Sequence, residues 1–418
     1  MKKSVKSSLL IVSGLLAAGV VWAQSAVIVN QRRAPAKAAM IGIPPQGWVK
    51  ASLSRALLGA RLIKDPKSVP QSLERRMAQD AFAAEPLATS ALPVLVQSLA
   101  ADGKKRQSRR LLTLAGELTR RDNLVNAMLI DEELKRERPE RAVRLLARAM
   151  SVDYDARYFY VERMATATAS SGAMAVLAPM LGQNPNWSAD YWAAVLRIPA
   201  VIPQAGRIRL RIAGPPWNLK EPTQTDFDLV AELAGRNEPA LAYDVARALG
   251  MQAPRGGELL AGSRFDREPH FRPFEWDLLQ TGDIGTTIEP KSRTLSISSL
   301  PGASGIAARQ LVFVPSAGPY RLRWKLSGLN NSLGATLKFR LTCVESGKAR
   351  TPVAVVALKD GAGSAIVAIA NSACKWYSVM LELDAVDTAT GTDIAIQQLS
   401  LRRDSGGAGN ASAANAGN

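Results

Sequence analysis

The 418-residue chain holds one histidine and two cysteines, which narrows its acid–base and metal chemistry at the outset. His270 lies in a Gly-, Pro- and Arg-rich connector, and any His-based catalytic triad would have to use it. No G-x-S-x-G elbow, P-loop or H-E-x-x-H helix occurs. C-x-x-C is absent too, so neither a His-rich metal site nor any cofactor is implied. Carboxylates brought together from distant positions would leave no local mark. A polysaccharide lyase or hydrolase therefore stands as the alternative to a non-catalytic protein.

Binding chemistry is better represented. In "YRLRWKL", Tyr320, Leu322, Trp324 and Leu326 fall on one side of a strand and Arg321, Arg323 and Lys325 on the other. In "LKFRLTC", Lys338 and Arg340 oppose Leu337, Phe339, Leu341 and Cys343. If Gly328–Gly334 joins the two strands as antiparallel neighbours, five cations line one face. Such a stripe suits an acidic polysaccharide, since Arg grips carboxylates bidentately. The plainer alternative is an ordinary solvated sheet face that discourages edge pairing. Among the aromatics, Trp324 and Tyr377 share faces with aliphatic residues and read as core. Trp376 lies opposite Tyr377, with Ser378 and Glu382, and is the candidate ring for stacking on a sugar. Phe274 and Trp276, two residues apart in "HFRPFEWDLLQTG", are expected to point the same way and close a new core where two domains meet.

The elements that must position these residues follow from periodicity. Lys2, Lys3 and Lys6 precede an apolar run from Leu9 to Val29. The run is long enough to span a bilayer, and Val21-Trp22-Ala23 also fits a signal-peptidase site. A retained inner-membrane anchor with a periplasmic body is favoured, because Ala26–Val29 continues the run beyond the cut. A cleaved signal and a soluble periplasmic body is the alternative. In either case the body is exported, so Cys343 and Cys374 read as one disulfide, against two free buried thiols.

Residues 30–48 read as a linker and 49–250 as helices punctuated by Gly and Pro. Within them apolar positions coincide after a shift of 34 residues: Ala91 meets Val125, Val96 meets Ile130, Leu112 meets Leu146 and Ala115 meets Ala149. "PERAVRLLARAM" returns from Pro239 as "PALAYDVARAL". Residues 251–272 form a connector. From 273 to 403 the period becomes two, with about nine short strands, the first expected at Phe274–Leu279. Residues 404–418 are a low-complexity tail expected to be disordered. The fold class is therefore a membrane segment, an α-helical hairpin array and a C-terminal antiparallel β-sandwich or jelly roll.

The segment "LLTLAGELTRRDNLVNAMLIDEELKRERPERAVRLLARAM" resembles the tetratricopeptide family, loosely, since Leu or Ala fill the usual aromatic positions. The pattern "PFEWDL … RQLVFVPSAGPYRLRWKL … LKFRLTC … SACKWYSVMLEL … IAIQQLSLR" looks like a carbohydrate-binding-module jelly roll. Together with a membrane segment, the two resemble bacterial envelope proteins linked to exopolysaccharide production. The resemblance implies a non-catalytic assembly factor, with envelope protein partners on the helices and glycan on the sandwich. A structural scaffold that binds no sugar is the third reading. Net charge is +17, spread along the chain with no basic block interleaved with aromatics, so nucleic acid is not an expected partner.

Overall fold

The computed structural model describes residues 2–41, 47–152, 154, 157–170, 172–331, 334–345, 352–370, 374–386 and 391–404. The expected disordered tail lies outside them, apart from Asp404. The chain forms two compact units, Met1–Ala167 with Pro185–Trp187, and Thr168–Asn184 with Ser188–Asn418.

The first unit is helical: α1 (Lys2–Arg33), α2 (Pro35–Ile41), α3 (Gly47–Lys64), α4 (Ser72–Ala84), α5 (Leu92–Ala101), α6 (Lys105–Leu118), α7 (Asn123–Lys135), α8 (Pro139–Val152) and α9 (Arg157–Ala167). Within α1, Val12–Asn30 has a mean hydropathy of 1.9 and no buried share, long and apolar enough to cross a membrane. Of the expected linker 30–48, residues 30–33 continue α1, Pro35–Ile41 form α2 and Gly47 opens α3, while residues 42–46 lie outside the described residues. Ala-rich sequence with only Pro35 at a helix start keeps the chain helical there.

Several of the apolar positions 34 residues apart are alike in burial. Val96 and Ile130 are buried, as are Leu112 and Leu146, while Ala115 and Ala149 are fully enclosed. The backbone follows suit, for Gly103 and Glu137 both adopt left-handed φ (76° and 56°) where one helix ends and the next begins. Asn237, two residues before Pro239, repeats the left-handed turn of Glu137 before Pro139 with φ 63°.

The second unit begins with α10 (Ala173–Leu181), α11 (Ser188–Leu196), α12 (Ile202–Ala213), α13 (Gln224–Gly235) and α14 (Pro239–Ala248). Ten strands follow among the described residues: β1 (Asp277–Leu278), β2 (Ile284–Glu289), β3 (Thr294–Ser299), β4 (Ser304–Phe313), β5 (Gly318–Ser327), β6 (Thr336–Cys343), β7 (Pro352–Leu358), β8 (Gly361–Ile369), β9 (Trp376–Asp384) and β10 (Thr392–Arg403). They build two antiparallel five-stranded sheets, β1-β4-β9-β6-β7 and β2-β3-β10-β5-β8. The chain passes from one sheet to the other at most connections, so each sheet pairs strands that are distant in sequence. Inward residues of both sheets, among them Leu322, Leu326, Phe339, Leu341, Tyr377, Val379 and Leu399, form one buried core.

Two expectations about this core need correction. The first strand is only Asp277–Leu278, and Phe274 and Trp276 part company. Trp276 enters the sandwich core near Phe265, whereas Phe274 packs against Tyr243 of α14. Residues 271–275 are a turn, so period-two alternation does not apply to them. The segment 251–272 is also more than a connector, since Leu260 and Phe265 belong to the core. Glu258 stitches it down, accepting from Leu401 N (2.8 Å), Ser400 Oγ (2.6 Å) and Leu260 N (3.2 Å). Cys343 and Cys374 form the expected disulfide, at the end of β6 and just before its neighbour β9.

Candidate functional site

The five-cation stripe does not form. Arg321, Arg323 and Lys325 do alternate outward along β5, but Lys338 and Arg340 lie on β6 in the other sheet. β5 and β6 belong to opposite sheets of the sandwich and do not pair as a hairpin, so the two groups face away from each other. Arg321 forms a bidentate pair with Asp404 (3.0 and 3.0 Å), and Arg340 pairs with Glu382 at 2.8 Å. Trp376 faces outward from β9 as expected, yet it is only 5 % exposed. Tyr243, Phe274 and Phe313 enclose it at ring separations of 5.5, 5.6 and 5.2 Å. Helix α14 covers that end of the sheet, so the ring serves packing and offers no platform to a sugar. Trp324 is core, its Nε1 donating to Lys359 O at 3.0 Å, and Tyr377 is fully buried.

A cleft of 360 Å³ elsewhere in the second unit collects aromatic and polar groups. Its walls include Phe227 and Gln224 of α13, His270 and Arg272, Gln280, and Thr287 of β2. His270 stacks on Phe227, centroids 5.8 Å apart and planes 25° from parallel. Phe271 meets the same phenyl ring edge-on at 5.0 Å. Trp276 and Thr286 also line the cleft, and both are about 1 % exposed. The Trp276 Nε1 and the Thr286 Oγ1 are buried without a hydrogen-bond partner. Such orphaned polar groups each cost about 1–3 kcal/mol, and both lie behind the cleft surface, out of reach of solvent.

Each wall is held from behind. Thr223 and Asp226 cap α13 reciprocally, with Thr223 N donating to Asp226 Oδ2 at 2.8 Å. Asp226 is buried against Arg209 of α12, at 2.5 Å from Nε and 3.2 Å from Nη2. Arg209 also donates to Leu219 O at 2.8 Å, tying down the loop that leads into α13. This network fixes the turn from which Gln224 and Phe227 project. On the facing wall, Glu275 is buried and accepts from His270 N (2.8 Å) and Phe271 N (3.1 Å), while Arg267 pairs with it at 2.6 Å. A carboxylate that gathers two amides and a guanidinium sets the loop bearing His270. Arg272 stands 3.4 Å from Asp277, which Arg309 holds at 2.8 Å, and its side chain stays largely in solvent.

Periodicity carries no signal for this cleft. Its residues come from a helix, a turn and a strand, and β2 itself, "IGTTIE", lacks the aliphatic run that marks its neighbours. Its inward positions are Ile284, Thr286 and Ile288. The one hint was the single His in an aromatic setting. A second cleft, of 320 Å³, is lined by Tyr243, Phe274, Phe313 and Tyr320 and walled mainly by apolar side chains. Among the described residues no three His, Cys, Asp or Glu side chains group as a metal site.

No protein-family model matches the chain, and no curated protein matches it. It is similar to a solved structure entitled "CBM4 structure and function", with 10% identity and a TM-score of 0.26, over 35% of this chain and 99% of that one. It is also similar to TmCBM61 in complex with β-1,4-galactotriose, with 14% identity and a TM-score of 0.25, over 36% of this chain and 100% of that one. A third is a family 29 carbohydrate-binding module, at 15% identity and a TM-score of 0.20, over 30% and 77% of the two chains. At this distance they carry nothing about a ligand, which has to come from the cleft itself.

Proposed function

We propose that the protein is a non-catalytic envelope protein whose β-sandwich unit binds a glycan in the cleft between α13 and β2. Residues 9–29 hold it in the inner membrane with its body in the periplasm. The helices of the first unit, tetratricopeptide-like in their 34-residue spacing, receive protein partners during exopolysaccharide synthesis or export. One observation carries the glycan reading. The stacked Phe227–His270 pair lines a 360 Å³ cleft together with the exposed side-chain amides of Gln224 and Gln280.

The chemistry fits a sugar. The apolar C–H face of a pyranose suits a flat π-surface. Hydroxyls both donate and accept, so a sugar can pair with the exposed amides of Gln224 and Gln280 while its ring lies on the aromatic pair. The volume falls in the usual range for small-ligand sites, about 300–1,000 Å³. The charged side chains of the lining, Arg272 and Glu268, offset each other, which favours a neutral glycan over the acidic one suggested by the β5 and β6 cations. Glu268 is the one carboxylate among the described lining residues, and a glycosidase needs two flanking the scissile bond, which supports binding over hydrolysis.

Affinity electrophoresis of the full chain through gels containing cellulose, galactan, mannan, xylan or polygalacturonate tests this. Retardation by a neutral polymer, lost on Phe227→Ala and insensitive to salt, is expected. Depolymerisation of any of the five would establish the enzyme instead. Free migration through all of them would leave the scaffold.

A further inference from the structure

The first unit contains a larger cleft of 870 Å³, lined by residues of α1, α3, α7 and α9. Its charged walls are Arg33, Arg55, Arg121, Arg163 and Asp122. Asp122 is already committed: it is buried, caps α7 by accepting from Leu124 N (3.0 Å) and Val125 N (3.2 Å), and pairs with Arg55 at 3.2 Å. Arg33, Arg121 and Arg163 are exposed and form no ion pair among the described residues. Three uncompensated guanidiniums around one cavity attract an anion.

The location narrows the anion. Arg33 is three residues past Asn30, the end of the membrane-length apolar stretch, about 4.5 Å further along the helix axis. The cleft therefore begins where α1 would leave the hydrocarbon. Phe159 of the cleft wall is 69 % exposed, and its neighbours Tyr158 and Tyr154 are 63 % and 79 % exposed. Aromatic side chains left in solvent beside arginines are the composition of a membrane–water interface.

We propose that this cleft takes the headgroup of an anionic phospholipid, from the leaflet at the C-terminal end of α1. Arg33, Arg121 and Arg163 surround the phosphate, and Phe159 with Tyr158 sits at the interface. The proposal rests on the anchored reading of α1 and is independent of sugar binding.

The test uses the full chain in a neutral detergent, titrated with dihexanoyl phosphatidylglycerol or dihexanoyl phosphatidylcholine and read by native mass spectrometry. Phosphatidylglycerol is expected to bind at least about tenfold more tightly, and Arg121→Glu with Arg163→Glu is expected to abolish that preference. Arg106→Glu on α6, outside the cleft, is expected to preserve it. Equal retention of the two lipids by the unmodified chain, a reading that needs no variant, would overturn the proposal. A preference that survives Arg121→Glu/Arg163→Glu would also overturn it, as would displacement of the lipid by oligogalacturonate at lower concentration. Neutral-glycan retention by the same double variant is expected to be unchanged, which separates failure here from failure of the sugar reading.

Discussion

The imidazole of His270 lies over the phenyl ring of Phe227 at a centroid distance of 5.8 Å. The two residues come from a loop and a helix 43 positions apart, and separate polar networks hold them in place. Glu275 fixes the loop and the Arg209–Asp226 pair fixes the helix start. Removing the His270 ring removes one aromatic contact and removing the Phe227 ring removes two, each worth about 0.5–1.5 kcal/mol beyond buried area. Phe227→Ala is expected to weaken neutral-glycan affinity about tenfold and His270→Ala several-fold, with little change in unfolding temperature for His270→Ala because that side chain is exposed. Isothermal titration with a retained oligosaccharide measures both.

The buried Arg209–Asp226 pair supports the same site from a distance. Asp226→Ala strands a buried arginine without its carboxylate, and about 3–5 kcal/mol of stability is expected to go with it. Replacing both partners by Met and Leu restores most of that stability. It does not restore the α13 cap, so glycan affinity stays low in the double variant. Denaturant unfolding alongside titration separates the two effects.

Trp376 is expected to behave as a packing residue. Trp376→Ala empties the space between Tyr243, Phe274 and Phe313, which costs about 3–5 kcal/mol. The fraction that folds retains its sugar affinity. A loss of affinity without a loss of stability would return this ring to the binding site.

Tyr191 supplies a pH signature. Burial raises its pKa well above the ordinary tyrosine value, and the hydrogen bond with Thr168 (2.8 Å) only partly opposes this. The folded state thus holds a proton that the unfolded chain releases above about pH 10. Stability is fully present below that pH and declines as pH rises beyond it. Tyr191→Phe is expected to flatten the alkaline limb of a melting-temperature profile.

The disulfide joins residues 31 apart, the last of β6 and one two residues before β9. Cys343→Ser with Cys374→Ser is expected to cost about 2–4 kcal/mol while leaving the glycan cleft, which neither cysteine lines, able to bind. Chemical unfolding with and without reductant checks this.

Much of the architecture was legible because burial follows period. The inward Leu322–Trp324–Leu326 row of β5 and the outward Arg321–Arg323–Lys325 row stand as strand alternation requires. Ala115 and Ala149 are both buried, as their apolar helical spacing requires, and the polar turns end in the left-handed residues Gly103 and Glu137. Pairing between strands was not legible. A glycine-rich segment such as Gly328–Gly334 can close a hairpin or cross a sandwich, and that choice decides whether Lys338 joins Arg323 on one face. The covering of Trp376 was hidden for a similar reason, because its neighbour Tyr243 is 133 residues away. Nor could Trp276 and Thr286 be picked out as unpaired, since hydrogen-bond satisfaction belongs to the folded state alone.

Hydrogen–deuterium exchange of the full chain, with and without a neutral oligosaccharide retained in the gels, tests the central claim most directly. Protection confined to the start of α13, the loop 268–272 and β2 is the predicted result. Protection along the outer faces of β5 and β6, with the loop and α13 unchanged, would contradict it.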